Sequence, residues 1–248
     1  MSGLFEVHNL SKSHWDTGNH ITKYLFSHIS VELPEPERIA VIGASGQGKS
    51  TLLRILALLE QPDEGNVTVD GVSFKEMSPR QWRMAVSYVA QQAVMLPGSI
   101  DDNLRTVSRL HGMPYDSVLA AQLIEQLGLD YLDLSKKAAD CSGGEKQRIA
   151  LIRSLLLRPR ILLLDEITAS LDMNSSQKVE ALLLQWHQEE GTSYLWVTHD
   201  LEQARRISSR TWIVSRGGLQ DHRSDILFKE PVAEIARKYI QGMEGSQR

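Results

Sequence analysis

One short run constrains this chain more than any other feature: residues 43–50 read Gly-Ala-Ser-Gly-Gln-Gly-Lys-Ser. The run follows an apolar segment at 38–42 that is typical of a buried strand, and a helical pattern covers 49–60. A glycine-rich turn between a strand and a helix lets backbone N–H groups approach phosphate oxygens, and the helix N-terminus adds partial positive charge. The spacing GxxxxGK[ST] in this context predicts a site for a nucleoside triphosphate.

The roles within this run follow from side-chain chemistry. Lys49 supplies an ammonium for the β- and γ-phosphates, and Ser50 supplies a hydroxyl for Mg²⁺. The predicted nucleotide-binding set is Gly43, Ala44, Ser45, Gly46, Gln47, Gly48, Lys49, Ser50 and Thr51. The structural alternative is a glycine-rich turn with an incidental lysine, which the flanking strand and helix patterns disfavour.

A second apolar run, at 161–166, reads Ile-Leu-Leu-Leu-Asp-Glu and ends in two acids. Continuous apolar runs of this length are typical of buried parallel strands. If the strand ends beside the phosphate loop, Asp165 can hold Mg²⁺ and Glu166 can polarise the water that attacks the γ-phosphorus. A lone run of this kind could be a core strand with a surface acidic turn, but its pairing with the glycine loop favours the functional interpretation.

The remaining pattern divides the chain into three kinds of segment. Short β-rich segments at 4–10 and 29–33 precede the phosphate loop, helical periodicity dominates from about 100 to 157, and strands alternate with helices from 161 to 215. Such alternation predicts an α/β fold with a largely parallel sheet. We expect a single domain over 1–248, divided into a catalytic core with a β subdomain (4–90 and 159–216), an inserted helical subdomain (92–158) and a tail (217–248) with one helix near 231–241.

Composition limits the compartment and the partners. The formal net charge of -4 offers no long-range attraction for nucleic acid or anionic lipid, so no nucleic-acid partner is expected. Cys141 is the only cysteine, which excludes an intramolecular disulfide and fits a reducing cytoplasm. The N-terminus lacks a secretory signal, and no apolar run reaches the roughly 18 to 20 residues that a spanning helix needs. We therefore expect membrane contact only through a partner protein.

The octet Cys-Ser-Gly-Gly-Glu-Lys-Gln-Arg at 141–148 resembles the signature sequence of ABC (ATP-binding cassette) proteins, which other phosphate-loop ATPases lack. A serine and two glycines at a helix start form a second anion-binding N-terminus. The resemblance implies that Ser142, Gly143, Gly144 and Glu145 close over the ATP held by a second cassette, so that a homodimer forms head to tail on ATP binding. Seen alone, the octet also fits an ordinary helix N-cap.

Other elements of the family occur in order over residues 4–216. Gln91, with Gln92 as the neighbouring alternative, resembles the glutamine that senses Mg²⁺ where the transmembrane partner docks. Asp172, in Ala-Ser-Leu-Asp, is similar to the aspartate that couples the two sites across the dimer. His199, in Trp-Val-Thr-His-Asp, resembles the switch histidine that contacts the γ-phosphate from a strand end.

Three positions depart from the family pattern. Cys141 stands where leucine is usual, and Ala-Ser at 169–170 stands where Ser-Ala is commoner. The aromatic residue that stacks on adenine is expected at His14 or Trp15: Trp15 has the better stacking face, whereas His14 lies closer to the usual register.

The resemblance implies both a fold and a function. The implied fold is a phosphate-loop ABC ATPase with a RecA-like mixed sheet core, an N-terminal antiparallel β subdomain and an inserted α-helical subdomain. The implied function is that of the ATP-hydrolysing subunit, with ATP and Mg²⁺ as cofactors, that powers a separate transmembrane permease from the cytoplasmic face of the membrane. The motifs look most like the ATPase of the bacterial iron-export ABC system. The implied catalytic residues are Glu166, His199, Lys49 and Gln91, and the implied metal ligands are Ser50, Gln91 and Asp165.

Two other classes of function compete with this interpretation. A soluble ABC ATPase acting on DNA or ribosomes would be expected to carry a long coiled-coil insertion or two cassettes, and an ATP-gated assembly module without hydrolysis would have no need of Glu166.

The segment 91–100 carries Val94, Met95 and Leu96, which either dock the permease or cap the core beneath the helical subdomain.

Overall fold

The computed structural model describes residues 3–16, 21–215 and 218–229. Its strands are β1 (Phe5–Asp16), β2 (Ile21–Leu33), β3 (Arg38–Ile42), β4 (Glu64–Val69), β5 (Val72–Ser73), β6 (Val86–Val89), β7 (Ile161–Asp165), β8 (Ser193–Val197), β9 (Arg210–Ser215) and β10 (Gly218–Arg223). Its α-helices are α1 (Lys49–Leu56), α2 (Pro79–Ala85), α3 (Ile100–His111), α4 (Ser117–Gln126), α5 (Gly143–Leu155), α6 (Met173–Glu190), α7 (Leu201–Ile207) and α8 (Ser224–Leu227).

A six-stranded sheet forms the centre of the molecule, in the order β10-β9-β3-β8-β7-β6. The five strands from β9 to β6 are parallel to their neighbours, and β10 is antiparallel to β9. Every residue of β7 and β8 is buried, as expected for strands covered on both faces. The predicted mixed α/β core is confirmed.

Alternate residues of β7 enter two different buried clusters because successive side chains of a strand point to opposite faces. Leu162 and Leu164 pack with apolar side chains of α3, α4 and α5, including Leu104 and Leu123. The helical region therefore covers one face of the sheet, and the segment 100–157 is helical or irregular as predicted. Its treatment as a separate inserted subdomain stays a prediction.

A second, antiparallel sheet has the order β2-β1-β4-β5 and covers the other face together with α1. Phe5 and Phe26 from this sheet share one cluster with Leu52 of α1 and Leu163 of β7. The N-terminal β subdomain therefore has no separate core, and its inner face is buried against the phosphate-loop helix.

Several boundaries differ from the sequence-based expectation. The strands β1 and β2 extend well beyond 4–10 and 29–33, because the pairing continues through bulges at which Asn9 and His28 adopt positive φ. The polar residues of this extension show no apolar alternation, so pattern alone missed it. The helix after the phosphate loop ends at Leu56 rather than at residue 60. Two residues later, Leu58 has a φ of 54°, which a continuing helix would not allow.

The C-terminal region adds to the core. Part of the predicted tail forms β10, which extends the central sheet by pairing with β9. The helix predicted near 231–241 lies outside the described residues. Within the ranges that the structure describes, no helix is long and apolar enough to cross a membrane.

Candidate functional site

The phosphate loop connects the end of β3 to the start of α1, and two of its glycines are required by the backbone. Gly43 has a φ of +152°, and a Cβ placed there would lie 2.3 Å from the carbonyl oxygen of Val214. Gly48 caps α1 with a φ of 88°, and its Cβ would lie 3.2 Å from Phe26. The loop can take this path only because glycine tolerates positive φ and close packing.

Lys49 is the first residue of α1, and its side chain folds back over the loop. Its Nζ donates to the carbonyl oxygens of Gly43 at 2.8 Å and Ala44 at 2.9 Å. Burial lowers the pKa of Lys49, and the nearby carboxylates of Glu166 and Asp165 partly offset that shift. The ammonium is thus held in the loop, where phosphate oxygens could replace these two carbonyls as acceptors.

Asp165 ends β7, is 3% exposed and accepts two hydrogen bonds. Ser50 Oγ donates to its Oδ1 at 2.9 Å, and the Tyr88 hydroxyl donates to its Oδ2 at 2.8 Å. Burial, followed by the charge of Asp165, raises the pKa of Tyr88. Tyr88 was missed by the sequence analysis. Its only sequence signal is its place on the strand that pairs with β7, where it lies opposite Leu163.

The oxygen atoms of Ser50 and Asp165 are suitable ligands for a magnesium ion. Mg²⁺ prefers oxygen ligands and is usually held by one or two carboxylates together with substrate phosphates. Ser50 and Asp165 bring a hydroxyl and a carboxylate within 2.9 Å of each other. In the part of the chain that the structure describes, no group of three His, Cys, Asp or Glu residues could hold a metal.

Glu166 follows β7 and has an unusual backbone, with a φ of 50°. Its Oε2 accepts from Gln91 Nε2 at 3.0 Å, and its Oε1 lies 2.8 Å from Nε2 of His199. Three residues that the sequence placed in one site are thus joined by hydrogen bonds. Gln91, rather than Gln92, makes this contact, so the geometry favours the first of the two alternatives.

A cavity of about 370 Å³ brings many of the predicted residues together, although Gly43, Ala44, Gln47 and Asp165 do not line it. Its walls include the phosphate loop and the side chains of Leu25, Lys49, Ser50, Gln91, Glu166 and His199. They meet because β3, β6, β7 and β8 are parallel neighbours, so their carboxyl ends share one edge of the sheet. Leu25 was not predicted. It comes from β2, whose extension the sequence pattern did not show.

The adenine-stacking position is not decided by the described residues. His14 lies exposed on β1 opposite Lys23, and it does not line the cavity. The side chain of Trp15 lies outside the described part of the structure. The choice between the two residues therefore stays a prediction.

The signature segment begins α5 with a complete capping box. Ser142 Oγ accepts from Glu145 N at 3.2 Å, and Ser142 N donates to Glu145 Oε2 at 2.6 Å. Glu145 also accepts from the Tyr131 hydroxyl at 2.7 Å, and this bond is the largest cause of its lowered pKa. Cys141 is 5% exposed and packs in the helical core, as a leucine would.

The signature residues do not line the 370 Å³ cavity. Ser142, Gly143 and Gly144 present a helix N-terminus whose capping is already complete within the chain. In a single copy these residues therefore form an ordinary helix N-cap, which is the structural alternative to a role in nucleotide binding. A role in nucleotide binding would require a second cassette, as the resemblance implies.

Asp172 is the N-cap of α6. Its carboxylate accepts from Ser175 N at 2.9 Å and from Ser175 Oγ at 2.7 Å. The serine hydroxyl bond is the largest cause of the lowered pKa of Asp172. The residue proposed to couple two sites thus has a structural task within one chain, and that coupling stays a prediction.

Comparisons with known proteins show which family the chain belongs to. The ABC transporter family profile matches residues 26–169. A putative ABC transporter ATP-binding protein, YjkB of Bacillus subtilis, is 38% identical over 205 residues, covering 82% of this chain and 81% of the relative. The probable iron export ATP-binding protein FetA of Escherichia coli is 36% identical over 179 residues, covering 72% and 80%.

A relative that matches more of this chain is named for methionine import, and a solved ATP-binding cassette has the same fold. A methionine import ATP-binding protein, MetN of Francisella tularensis, is 30% identical over 247 residues, covering 96% of this chain and 69% of the relative. The dimeric post-hydrolysis structure of the ATP-binding cassette MJ0796 with ADP and Pi superposes with a TM-score of 0.77 at 25% identity, covering 89% of this chain and 98% of that one. This chain therefore belongs to the ABC transporter family, as an ATP-binding subunit with the ATPase cassette of that family.

Proposed function

We propose that the chain binds ATP with Mg²⁺ in the 370 Å³ cavity and hydrolyses it there. Lys49 and the loop N–H groups would hold the phosphates, and Ser50, Asp165 and Gln91 would hold the ion. Bound Mg²⁺ would neutralise charge on the β- and γ-phosphate oxygens. The observation that carries the proposal is the Glu166 carboxylate, held by Gln91 and His199 at the mouth of the phosphate loop.

Glu166 acts as the general base in this proposal. Its backbone follows the last residue of a fully buried strand, so its position is fixed to the sheet. Gln91 and His199 orient both carboxylate oxygens. When a triphosphate enters, His199 turns to the γ-phosphate and Glu166 accepts the proton of the attacking water.

Two copies complete the site. The cavity of one chain receives no side chain from residues 142–145, although these residues form a helix N-terminus suited to an anion. We therefore propose that Ser142 and the two glycines of a second copy contact the γ-phosphate from the open side. We also propose that Asp172, the N-cap of α6, couples the two sites.

The experiment for this proposal is Glu166→Gln, which keeps the shape and the hydrogen-bonding amide. ATP turnover should fall by about 100-fold or more, which is the scale for removing a general base. ATP binding by fluorescence titration should stay within a few-fold of wild type, and light scattering should show an ATP-dependent dimer. Normal turnover would remove Glu166 from the mechanism, and a monomer at saturating Mg-ATP would remove the shared site.

We propose that hydrolysis drives a separate transmembrane permease that docks on the segment 91–100, with the chain peripheral at the cytoplasmic face of the membrane. Val94 and Leu96 are 69% and 42% exposed, whereas Met95 packs against the helical core. The surface is held rigid because Asn103 bonds both backbone groups of Leu96, at 2.8 and 3.0 Å. Exposed apolar side chains on a fixed loop are suited to contact with a partner.

The docking proposal is tested with Val94→Asp combined with Leu96→Asp. The pair should abolish co-purification with the permease and leave the ATPase activity of the isolated chain within about twofold, because both side chains point to solvent. Val118→Asp is the control, since Val118 is 68% exposed on α4, away from this loop. Retained co-purification of the paired variant would refute docking at this segment.

For the transported substrate we propose export of a metal ion, with iron as the first candidate. The signature, acidic-strand and switch-histidine motifs resemble those of the iron-export system, and FetA shares 36% identity with this chain. The proposal is tested by deleting the gene and measuring cellular iron by mass spectrometry: accumulation is expected, with rescue by the wild-type gene but not by Glu166→Gln. Unchanged iron together with impaired methionine uptake would replace it with the function named for MetN.

A further inference from the structure

A second cavity, of about 590 Å³, lies beside the first and shares Glu166 and His199 with it. Its walls are α6, α7 and the loop that joins β7 to α6. This loop contains Glu166 at its start and Asp172 at its end. Whatever fixes the loop relative to α7 therefore also fixes Glu166 relative to His199, which precedes α7 by two residues.

The loop needs such support because of its backbone. A residue other than glycine at a φ of 50° is held in an unfavourable region, and it persists only when the surrounding structure imposes it. Within the loop, Ala169 N donates to the Glu166 carbonyl at 3.0 Å, and Leu171 N donates to the Thr168 carbonyl at 3.1 Å. These two turns shape the loop, and Glu166 N donates to the Val197 carbonyl of β8 at 3.2 Å, which ties the start of the loop to the sheet. None of these bonds attaches the rest of the loop to α7.

A buried amide makes that attachment. Gln203 on α7 is 5% exposed, and its Nε2 donates to Thr168 Oγ1 at 3.0 Å and to Glu180 Oε1 at 2.9 Å. Glu180 belongs to α6, and Arg206 on α7 donates to both of its carboxylate oxygens at 3.0 and 3.1 Å. One side chain thus connects the acidic loop, α6 and the helix that follows the switch histidine.

We infer that Gln203 is a positioning residue for ATP hydrolysis, acting through the Thr168 hydroxyl to hold Glu166 against His199. This inference rests on the proposed role of Glu166. Gln203 does not line the phosphate cavity, so it acts on the reaction only through its neighbours. Gln203 and Glu180 are buried and Thr168 is partly buried. Leaving a buried amide without its partner costs free energy, so the bridge holds the loop in one place relative to α7.

The sharpest test uses Thr168, where two small changes separate the hydrogen bond from the shape of the side chain. Thr168→Val keeps the shape and removes the hydroxyl, whereas Thr168→Ser keeps the hydroxyl. With the full chain, we expect Thr168→Val to lower kcat for ATP by about tenfold, since small displacements of a reacting group have effects of this order. KM for ATP should stay within about twofold, and Thr168→Ser should retain at least half of the wild-type kcat.

Gln203→Leu should reproduce the loss in kcat, and Gln177→Leu is its matched control. Gln177 lines the same cavity and is exposed, so the same substitution there should leave kcat unchanged. The kcat of the double variant Thr168→Val with Gln203→Leu should be at most about tenfold below that of wild type, because both changes break the same hydrogen bond between Gln203 and Thr168. Losses that multiply to about a hundredfold would overturn the inference, as would equal losses in Thr168→Ser and Thr168→Val.

Glu166→Gln is measured in the same assay to separate this inference from the proposed function. If Glu166→Gln turns over ATP normally, the proposed function fails. If Glu166→Gln is inactive while Thr168→Val and Gln203→Leu match wild type, only the positioning role fails.

Discussion

The phosphate loop offers a prediction in which two glycines of one segment serve as test and control. At Gly43 the added methyl group of Gly43→Ala would lie 2.3 Å from the backbone oxygen of Val214, whereas ordinary contacts begin near 3.4 Å. The backbone of β9 cannot move away cheaply, because Ile213 beside it pairs with Ile42 of β3 and is fully buried. At Gly46, by contrast, a Cβ would meet nothing within 4 Å.

The two substitutions should therefore lower the free energy of unfolding by different amounts. For Gly46→Ala only the positive φ of 78° matters, and left-handed strain costs about 1–2 kcal/mol. For Gly43→Ala backbone strain of about 1–3 kcal/mol adds to overpacking of about 1–3 kcal/mol, so the loss should be about 2–6 kcal/mol. Urea denaturation at 25 °C measures both values.

ATP binding gives a second measurement on the same pair. The Gly43 carbonyl accepts from Lys49 Nζ, so a displaced Gly43 also misplaces the ammonium, and Gly43→Ala should weaken ATP binding by more than Gly46→Ala. Equal destabilisation in the two variants would refute the argument from the Val214 contact. So would a Gly43→Ala protein that binds ATP like wild type.

Two further predictions concern side chains that the sequence analysis did not identify. Tyr88→Phe leaves one oxygen of the buried Asp165 without its hydrogen-bond donor. The variant should therefore have a free energy of unfolding lower by about 1–3 kcal/mol in urea denaturation, and Mg²⁺ titration should show a higher Mg²⁺ concentration for half-maximal ATPase activity. Ser87→Ala on the same strand should leave the Mg²⁺ requirement unchanged. Tyr131→Phe removes the main cause of the lowered pKa of Glu145. A carboxylate with a lowered folded-state pKa stabilises the fold above its ordinary pKa of 4.5, so the variant should be less stable than wild type at pH 7, and the two should converge as the pH falls below 4.5 in thermal melts. A stability gap that did not shrink as the pH fell below 4.5 would contradict this assignment.

Local motifs were predictable from the sequence because their chemistry lies in consecutive residues. The phosphate loop and the acidic strand each carry both a pattern and a flanking element, so their place in the fold follows from chain connectivity. The structure also brings His199 and Gln91 beside Glu166, since each comes shortly after a parallel strand. Sequence reasoning succeeds where a strand end fixes the direction in which the next residues point.

Partners distant in sequence were not predictable in the same way. Tyr88 and Asp165 are 77 residues apart, and Thr168 and Gln203 are 35 residues apart. Nothing in the local pattern of Tyr88 or Gln203 separates a hydrogen-bonded polar residue from an exposed one. Their contacts depend on strand order and helix packing, which a single sequence does not specify. The long hairpin of β1 and β2 was missed because its outer part lacks apolar alternation.

The division of labour between the sheet and the helices explains why the cavity is incomplete in one chain. Gly43, Gln91, Glu166 and His199 each lie within two residues of a strand end, so the buried sheet positions them with little freedom. Ser142 instead caps a helix that packs on the sheet face, and it does not line the cavity of its own chain. In the proposed mechanism the sheet therefore builds the half of the site that holds the phosphates and the attacking water. The proposed contact of Ser142 with a γ-phosphate would need a second copy, and this is the physical reason for which we propose ATP-dependent pairing.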